Sequence, residues 1–322
     1  MRGGGISSPI FDEFGIPKTT IIHQVKSVSI VSPKGRKVQI PLKGGALAIV
    51  DRQQFDMMLR TQAEASGARL FECEFKGMIR EKLYRIETKA GAEKSRIRAE
   101  YVIAADGIHS RVRAALGIKP VQSLFAASEH IQGVQGSACE FWFGAAHAPG
   151  FYSWVFPAAD GISVGTGTLC PRDLKGFLAR FRERRGIQGN GKSRIYNIPI
   201  WQGDLFCRGK VLFAGDAAGQ VLPFTYEGIY YAMKAGELAA RAVIRNEMRE
   251  YKRLWRSRFA LRFRLMDSIR KYFLKDDTSA ERMVALHTRP EIQDISMSLW
   301  LSKDGGRKEL THYLRLFGKF LH

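Results

Sequence analysis

The chain has 322 residues, 45% of them hydrophobic, and a formal net charge of +20 from 51 Lys and Arg against 31 Asp and Glu. That much apolar chain supports a sizeable core in more than one lobe, and the cationic surplus favours an acidic partner: nucleic acid, an anionic membrane surface, or a phosphorylated cofactor or substrate. Cys73, Cys139, Cys170 and Cys207 have neither CxxC nor His-Cys spacing, no run reaches the ~20 apolar residues of a spanning helix, and the N-terminus lacks signal-peptide blocks, which argues against a zinc site, a disulfide framework, a transmembrane chain or a secreted one and leads us to expect a reducing cytoplasm.

The opening MRGGGISSPIFDEFGIP reads as a glycine-rich loop and a short turn with no strand before it. HQVKSVSIVSPKGRKVQIPL predicts a hairpin turning at Pro33-Lys34-Gly35. After Gly44-Gly45, a short apolar piece leads into a helix with Phe55, Met58, Leu59 and Ala63 at helical spacing, ending at Gly67. Strand signals follow from Arg69 to Tyr84 and in YVIAADG, and a strand-rich stretch, FWFGAAHAPGFYSWVFPAADGISVGTGT, turns at Asp160-Gly161. Past Asp173 the pattern is basic and helical until the apolar strand VLFAGD. Two long helices, roughly 226 to 245 and 247 to 274, and a shorter one after Arg307 close the chain. This order implies an α/β nucleotide-type lobe interrupted by an antiparallel sheet.

Two strand ends share one design, Ala104-Ala105-Asp106-Gly107 and Ala214-Gly215-Asp216-Ala217. Each delivers an Asp to the carboxyl edge of a sheet, where open α/β sheets bind ligands, and the adjacent Gly allows close backbone approach. At the second, a helix expected to start near Tyr226 aims unpaired amides at the same spot, suited to a phosphate or an anionic ring oxygen. Its Ala232, Ala235, Gly236, Ala239 and Ala240 let it lie close on the sheet. An isolated Gly-Asp is equally a helix-capping turn, but the whole string GDAAGxxxPxxxEGI favours a ligand site. Tyr152, Trp154 and Phe156 alternate along a strand and so share one face, either as core or as an aromatic wall.

These residues carry a resemblance. GDAAGQVLPFTYEGIYYAMKAGELAA resembles the second flavin motif of FAD-dependent oxidoreductases of the hydroxylase type, ADGIHSRVR (Ala105 to Arg113) their DG motif, and VDRQQFD (Val50 to Asp56) their arginine-bearing segment. PGFYSWVFP (Pro149 to Pro157) resembles the PxxYxWxFP motif of the geranylgeranyl reductase family, and GGGIS (Gly3 to Ser7) the end of that family's glycine-rich segment. The resemblance implies an FAD-dependent reductase of isoprenoid double bonds in a prenyl lipid, with nicotinamide nucleotide or ferredoxin as electron donor. It implies that Gly215, Asp216 and Ala217 hold the ribityl chain and that Glu227, Gly228 and Ile229 face the flavin ring. Arg52 would be a FAD contact, and Asp106 with Gly107 the turn near the pyrophosphate. Tyr152, Trp154 and Phe156 would receive the prenyl chain, with Tyr152 the candidate catalytic proton donor.

The implied fold is mixed α/β: an incomplete Rossmann-like FAD-binding lobe (1–15, 46–117 and 203–245), an inserted antiparallel substrate sheet (16–45 and 118–202), and a basic C-terminal helical region (246–322). The chain contains no GxGxxG and no strand-turn-helix unit for the ADP half of FAD, so an upstream segment or a separate subunit supplying that unit is expected. Arg2 stands where the family has a cysteine near the flavin. The alternatives are an FAD-dependent aromatic monooxygenase or halogenase, and a non-catalytic prenyl-lipid-binding fragment or subunit.

Between Arg249 and Lys275 stand ten basic and two acidic residues. Trp255, Phe259, Phe263, Met266, Ile269 and Phe273 lie close to one helical face. Residues 247–275 therefore read either as a helix packed on the core with a solvated charged face or as an interfacial helix on an anionic membrane, making the protein peripheral. Nucleic acid suits the pattern less well, because the aromatics sit on the apolar face. The seven histidines have no HxH or HExxH spacing, and no metal is expected.

Overall fold

A computed structural model describes residues 4–301 and 303, apart from residues 44, 190 and 204; Arg2 and the helix expected after Arg307 lie outside the described residues. The chain divides into two compact units interleaved in sequence. One comprises Met1–Gln62, Leu124–Tyr196 and Ser268–His322, and the other Ala63–Ser123 and Asn197–Asp267.

The first unit opens with β1 (Gly5–Ser7), α1 (Pro9–Glu13), β2 (Ile21–Val25), β3 (Ser27–Val31), β4 (Lys37–Pro41), β5 (Leu47–Val50) and α2 (Arg52–Ala65). The opening is therefore a strand and a helix rather than a loop. β1 pairs antiparallel with β5, which pairs on its other edge with β2. All four β5 residues are buried, and a buried strand needs backbone partners on both edges. The expected hairpin forms between β3 and β4, closed by Ser32 N donating to Arg36 O (2.9 Å) and Gly35 N donating to Ser32 O (2.9 Å). Asp51 starts α2 by accepting the amides of Gln53 (2.9 Å) and Gln54 (3.1 Å).

The second unit begins with an antiparallel meander, β6 (Glu74–Arg80), β7 (Tyr84–Ala90) and β8 (Glu93–Ala99), then β9 (Val102–Ala104) and α3 (Arg111–Ala115). The first unit resumes with β10 (Ser123–Gln132), β11 (Cys139–Trp142), β12 (Ser153–Ala158), β13 (Gly161–Thr168), α4 (Leu174–Arg185) and β14 (Arg194–Pro199), in a seven-stranded sheet ordered β14-β10-β13-β12-β11-β3-β4. β14 falls where a helical pattern was expected. On one face of this sheet, Ala127, Ile131, Val155, Ile162 and Val164 pack against Leu174, Leu178 and Phe181 of α4.

The second unit closes with β15 (Cys207–Arg208), β16 (Val211–Phe213), α5 (Ile229–Ile244) and α6 (Met248–Phe273). β16 runs parallel to β9 and antiparallel to β15. The apolar face of α6 is not presented to solvent: Trp255, Phe259 and Phe263 are fully buried. Tyr231 of α5 meets the Phe259 and Phe263 rings edge-on at 5.4 and 4.9 Å. These contacts pack the apolar face of α6 against α5, as the packed-helix reading expects. Among the described residues no helix is long and apolar enough to cross a membrane. Two further helices, α7 (Asp277–Leu286) and α8 (Pro290–Leu301), follow where none had been delineated. Asp276 caps α7 by accepting Ser279 N (2.7 Å), and Pro290 opens α8.

A buried polar node ties the loop before β12 to the sheet. His147, 1% exposed, approaches Ser153 Oγ through Nδ1 (2.8 Å), Ser153 Oγ donates to Thr166 Oγ1 (2.9 Å), and Thr166 Oγ1 donates to His147 O (2.5 Å). Burial, reinforced by Arg184 and opposed by Asp277, lowers the His147 pKa to about 4. The folded state therefore holds this ring neutral, and its contribution is complete above the unfolded value near 6.5 and is lost as pH falls toward 4. We expect unfolding titrations to show stability falling by on the order of 3 kcal/mol across that window from this group alone, and the His147 ring resonances to stay unprotonated in the native protein at pH 5.5.

Candidate active site

β9 and β16 lie side by side and parallel, with Ala104 opposite Phe213. Both Gly-Asp turns therefore emerge at the same carboxyl edge of the sheet. The Asp106 carboxylate is spent locally, since its Oδ2 accepts Val112 N (3.1 Å) at the start of α3, while Ser110 Oγ accepts Arg113 N (3.1 Å). Asp216 sits half-buried in a single helical turn, Gly215–Ala218. Gly215 has φ +61°, and a Cβ there would lie 3.0 Å from the Ala232 Cβ of α5, so both conformation and space require glycine.

After this turn the backbone is strained at two aromatic residues, Phe224 (φ 72°) and Tyr226 (φ 54°). Side chains in the left-handed region cost roughly 1–3 kcal/mol each and cluster at functional sites. They also stop the chain from being helical at 226, so α5 begins at Ile229, three residues later than expected, with Gly228 as its N-cap. Glu227 O accepts Leu222 N (3.0 Å), folding the loop back on itself. A Cβ at Gly228 would lie 3.6 Å from Asp216 Oδ1 and 3.3 Å from Val221 Cγ2. The Asp216 carboxylate thus stands beside the amide end of α5, as the motif implies. Bringing Gly215, Asp216, Ala217, Glu227, Gly228 and Ile229 together is the work of one loop and one helix start.

Three side chains that the motifs did not single out as site residues hold this turn. Gln220 Oε1 accepts Gly215 N (2.9 Å), Gln220 Nε2 donates to Tyr251 Oη (2.8 Å), and Tyr251 Oη donates to Phe213 O (2.8 Å). Tyr251 belongs to α6 and is fully buried; burial pushes its phenol up, against the Gln220 bond. On the other side, Arg113 donates from Nη1 to Ala217 O (3.0 Å) and from Nε to Lys119 O (3.0 Å). Burial lowers the Arg113 pKa and nearby Asp106 opposes this. The one legible signal for Arg113 was its place inside the DG segment. Tyr251 had none, since it sits in a run that reads as charge.

The aromatic residues occupy the first unit. Tyr152 and Trp154 are buried and Phe156 half-buried. Phe141, opposite Trp154 on β11, meets Tyr152 at 5.3 Å, Phe156 at 5.5 Å and Trp300 of α8 at 6.1 Å. Gly165 and Gly167 on β13 make room for the wall: a Cβ at Gly165 would lie 2.1 Å from the Trp154 ring, and one at Gly167 would lie 2.6 Å from Phe151. Arg52, also in the first unit, opens α2 and pairs with Asp56 (Nη2 to Oδ2, 3.0 Å).

Removing the Tyr251 hydroxyl leaves a buried carbonyl and an amide donor unmade. Tyr251→Phe should cost about 1–3 kcal/mol and weaken flavin binding, read by a denaturation midpoint and by fluorescence titration of added FAD. Gly165→Ala should cost about 1–3 kcal/mol through overpacking on Trp154, whereas Gly77→Ala, where a Cβ would meet nothing within 4 Å, should leave the melting temperature nearly unchanged.

Residues 11–190 match the FAD binding domain family. The geranylgeranyl diphosphate reductase of Rhodobacter capsulatus is 29% identical over 94% of this chain and 82% of its own length. The digeranylgeranylglycerophospholipid reductase of Methanocaldococcus jannaschii is 30% identical over 78% of this chain and 71% of its own. Among solved structures, a geranylgeranyl bacteriochlorophyll reductase-like protein from Thermoplasma acidophilum superposes with a TM-score of 0.83 at 23% identity, covering 98% of this chain and 88% of that one, which shows a shared fold. FAD is the cofactor, and the residues fit it: the Asp216 carboxylate is a hydrogen-bond acceptor beside the N-terminal amides of α5, a setting that suits sugar hydroxyls next to an anionic ring. With more than half its length in the FAD binding domain match and a relative at 30% identity, the chain belongs to the FAD-dependent geranylgeranyl reductase family of flavoproteins.

Proposed function

We propose that this protein is an FAD-dependent oxidoreductase that reduces carbon-carbon double bonds of a geranylgeranyl-type prenyl lipid. The substrate class follows the names of the relatives, and the observation that carries it is the aromatic wall of the first unit. Phe141, Tyr152, Trp154, Phe156 and Trp300 make a surface so apolar that the Trp154 Nε1–H has no hydrogen-bond partner among the described residues. Such a surface holds a polyisoprenoid by contact area and keeps water from the reacting alkene. Half-buried Phe141, Phe156 and Trp300, together with Tyr152, whose ring contacts Phe141, are the rings that meet the chain, and buried Trp154 backs them.

FAD, when bound, supplies the electron pair that reaches one alkene carbon as hydride. Asp216 would hold the ribityl chain as a hydrogen-bond acceptor, and the α5 amides from Ile229 onward would favour negative charge on the flavin ring. The Asp106-Gly107 turn, at the same sheet edge, would lie near the pyrophosphate, as the resemblance implies. The second alkene carbon needs a proton, and Tyr152 carries the one O–H group in the wall. It donates that proton and regains one from solvent.

Geranylgeranyl diphosphate incubated anaerobically with the protein and dithionite-reduced FAD should gain two hydrogens per reduced bond by mass spectrometry; an oxygen-dependent product would instead favour a monooxygenase. Tyr152→Phe should slow reduction by about 10²- to 10⁴-fold and leave the flavin spectrum intact. Asp216→Ala should weaken FAD binding by roughly tenfold or more, the cost of a hydrogen bond to a charged group.

A further inference from the structure

The seven-stranded sheet has a narrow opening on its aromatic face. Residues opposite one another in register share a face, and one such row runs Val38, Ile30, Phe141, Trp154 and Gly165 across five strands. Val38, Ile30 and Trp154 are buried, the Trp154 indole fills the place above Gly165, and of this row Phe141 alone is half-buried. Phe156, two residues beyond Trp154 along β12 and so on the same face, is half-buried as well. The uncovered strip therefore spans β11 and β12, about 5 Å from strand to strand. One of its sides is Trp300 of α8, edge-on to Phe141 at 6.1 Å.

Trp300 is held in place by the helix that carries it. α8 packs on β4, Leu301 lies beside Gly45, where a Cβ would stand 3.4 Å from Leu301 Cδ1, and Lys43 Nζ pairs with Asp294 (2.8 Å). About one turn before Trp300, Ser296 Oγ meets His287 Nε2 (3.0 Å), and Gln293 Nε2 donates to His287 O (2.7 Å), which ties α8 to the end of α7. α7 is pinned in turn to the β3–β4 hairpin, where Glu281 accepts Lys34 N (3.2 Å).

We propose that Trp300 is a specificity-determining residue that limits the strip to one prenyl chain at a time. The residue takes this role only on the reductase reading, which lays the prenyl chain on the aromatic wall. A single chain covers Phe141 and Phe156 and leans on the Trp300 indole. A lipid with two chains on one glycerol must leave its second chain in water, because Trp300 stands beside Phe141 and α8 lies beyond it over β4. Apolar surface left in water contributes nothing to binding. Removing the indole opens floor beside Phe141 on which the second chain can lie.

The test is a pair of calorimetric titrations of the FAD-loaded full chain, oxidised and without reductant, so that no turnover occurs. The ligands are a glycerol phosphate carrying one geranylgeranyl chain and the same lipid carrying two, both delivered from cyclodextrin. The unaltered protein should bind the one-chain lipid about tenfold more tightly than the two-chain lipid, and Trp300→Ala should cut that ratio by about fivefold. Trp300→Leu, which keeps an apolar side chain on α8 should the smaller residue not fold, should cut it by about threefold. Lys43→Ala breaks an exposed ion pair of α8 without touching the wall and should leave the ratio within about twofold. A ratio near one in the unaltered protein, an unchanged ratio in both Trp300 variants, or an equal change in Lys43→Ala would overturn the proposal while leaving the reductase reading standing. Binding of neither lipid by the unaltered protein would remove the prenyl-binding wall itself, and the role of Trp300 with it.

Discussion

The second unit depends on keeping one turn closed. Strand β16 is three residues long and buried at each of them, and it must reverse direction within Gly215–Ala218 while its last carbonyls and the Gly215 amide lie out of reach of water. Gln220 and Tyr251 meet those groups from one side and Arg113 from the other. A buried backbone group left unmade costs as much as a lost hydrogen bond, so these three side chains hold the turn that carries Asp216. The basic helix α6 is part of this arrangement through Tyr251.

Strain and glycine do complementary work around that turn. Glycine at 228 keeps a side chain away from the Asp216 carboxylate and glycine at 215 leaves room for Ala232, while Phe224 and Tyr226 hold a backbone conformation that aromatic residues avoid. The loop is shaped by its closure, with Leu222 N donating to Glu227 O and Tyr226 N to Leu222 O. Local preference is overruled there because both ends are anchored in packed elements.

The parts of the fold that could be read from the sequence were those with a local signature: the β3–β4 hairpin with its Pro33-Lys34-Gly35 turn, the helix around Phe55, and the two Gly-Asp strand ends. β8 and β14 escaped because most of their positions are exposed or half-buried and their apolar residues do not alternate with period two. α7 and α8 had start signals in Asp276 and Pro290. In the site, Asp216 and Gly228 were legible because their spacing is a motif. Gln220 and Tyr251 were not, because they act through a contact 31 residues apart that exists only once α6 has packed. The start of α5 was misplaced since positive φ at Phe224 and Tyr226 has no sequence signature in aromatic residues.

The pairing of Trp154 with Gly165 bears on how the substrate sheet can diversify. The indole lies where a neighbouring strand would otherwise place a side chain, so the two positions share one volume. A smaller residue at 154 alone opens a void, and a larger one at 165 alone meets the ring. Change at either position must then pass through coupled exchanges, and a library built by varying single positions of this strand pair would sample few viable shapes.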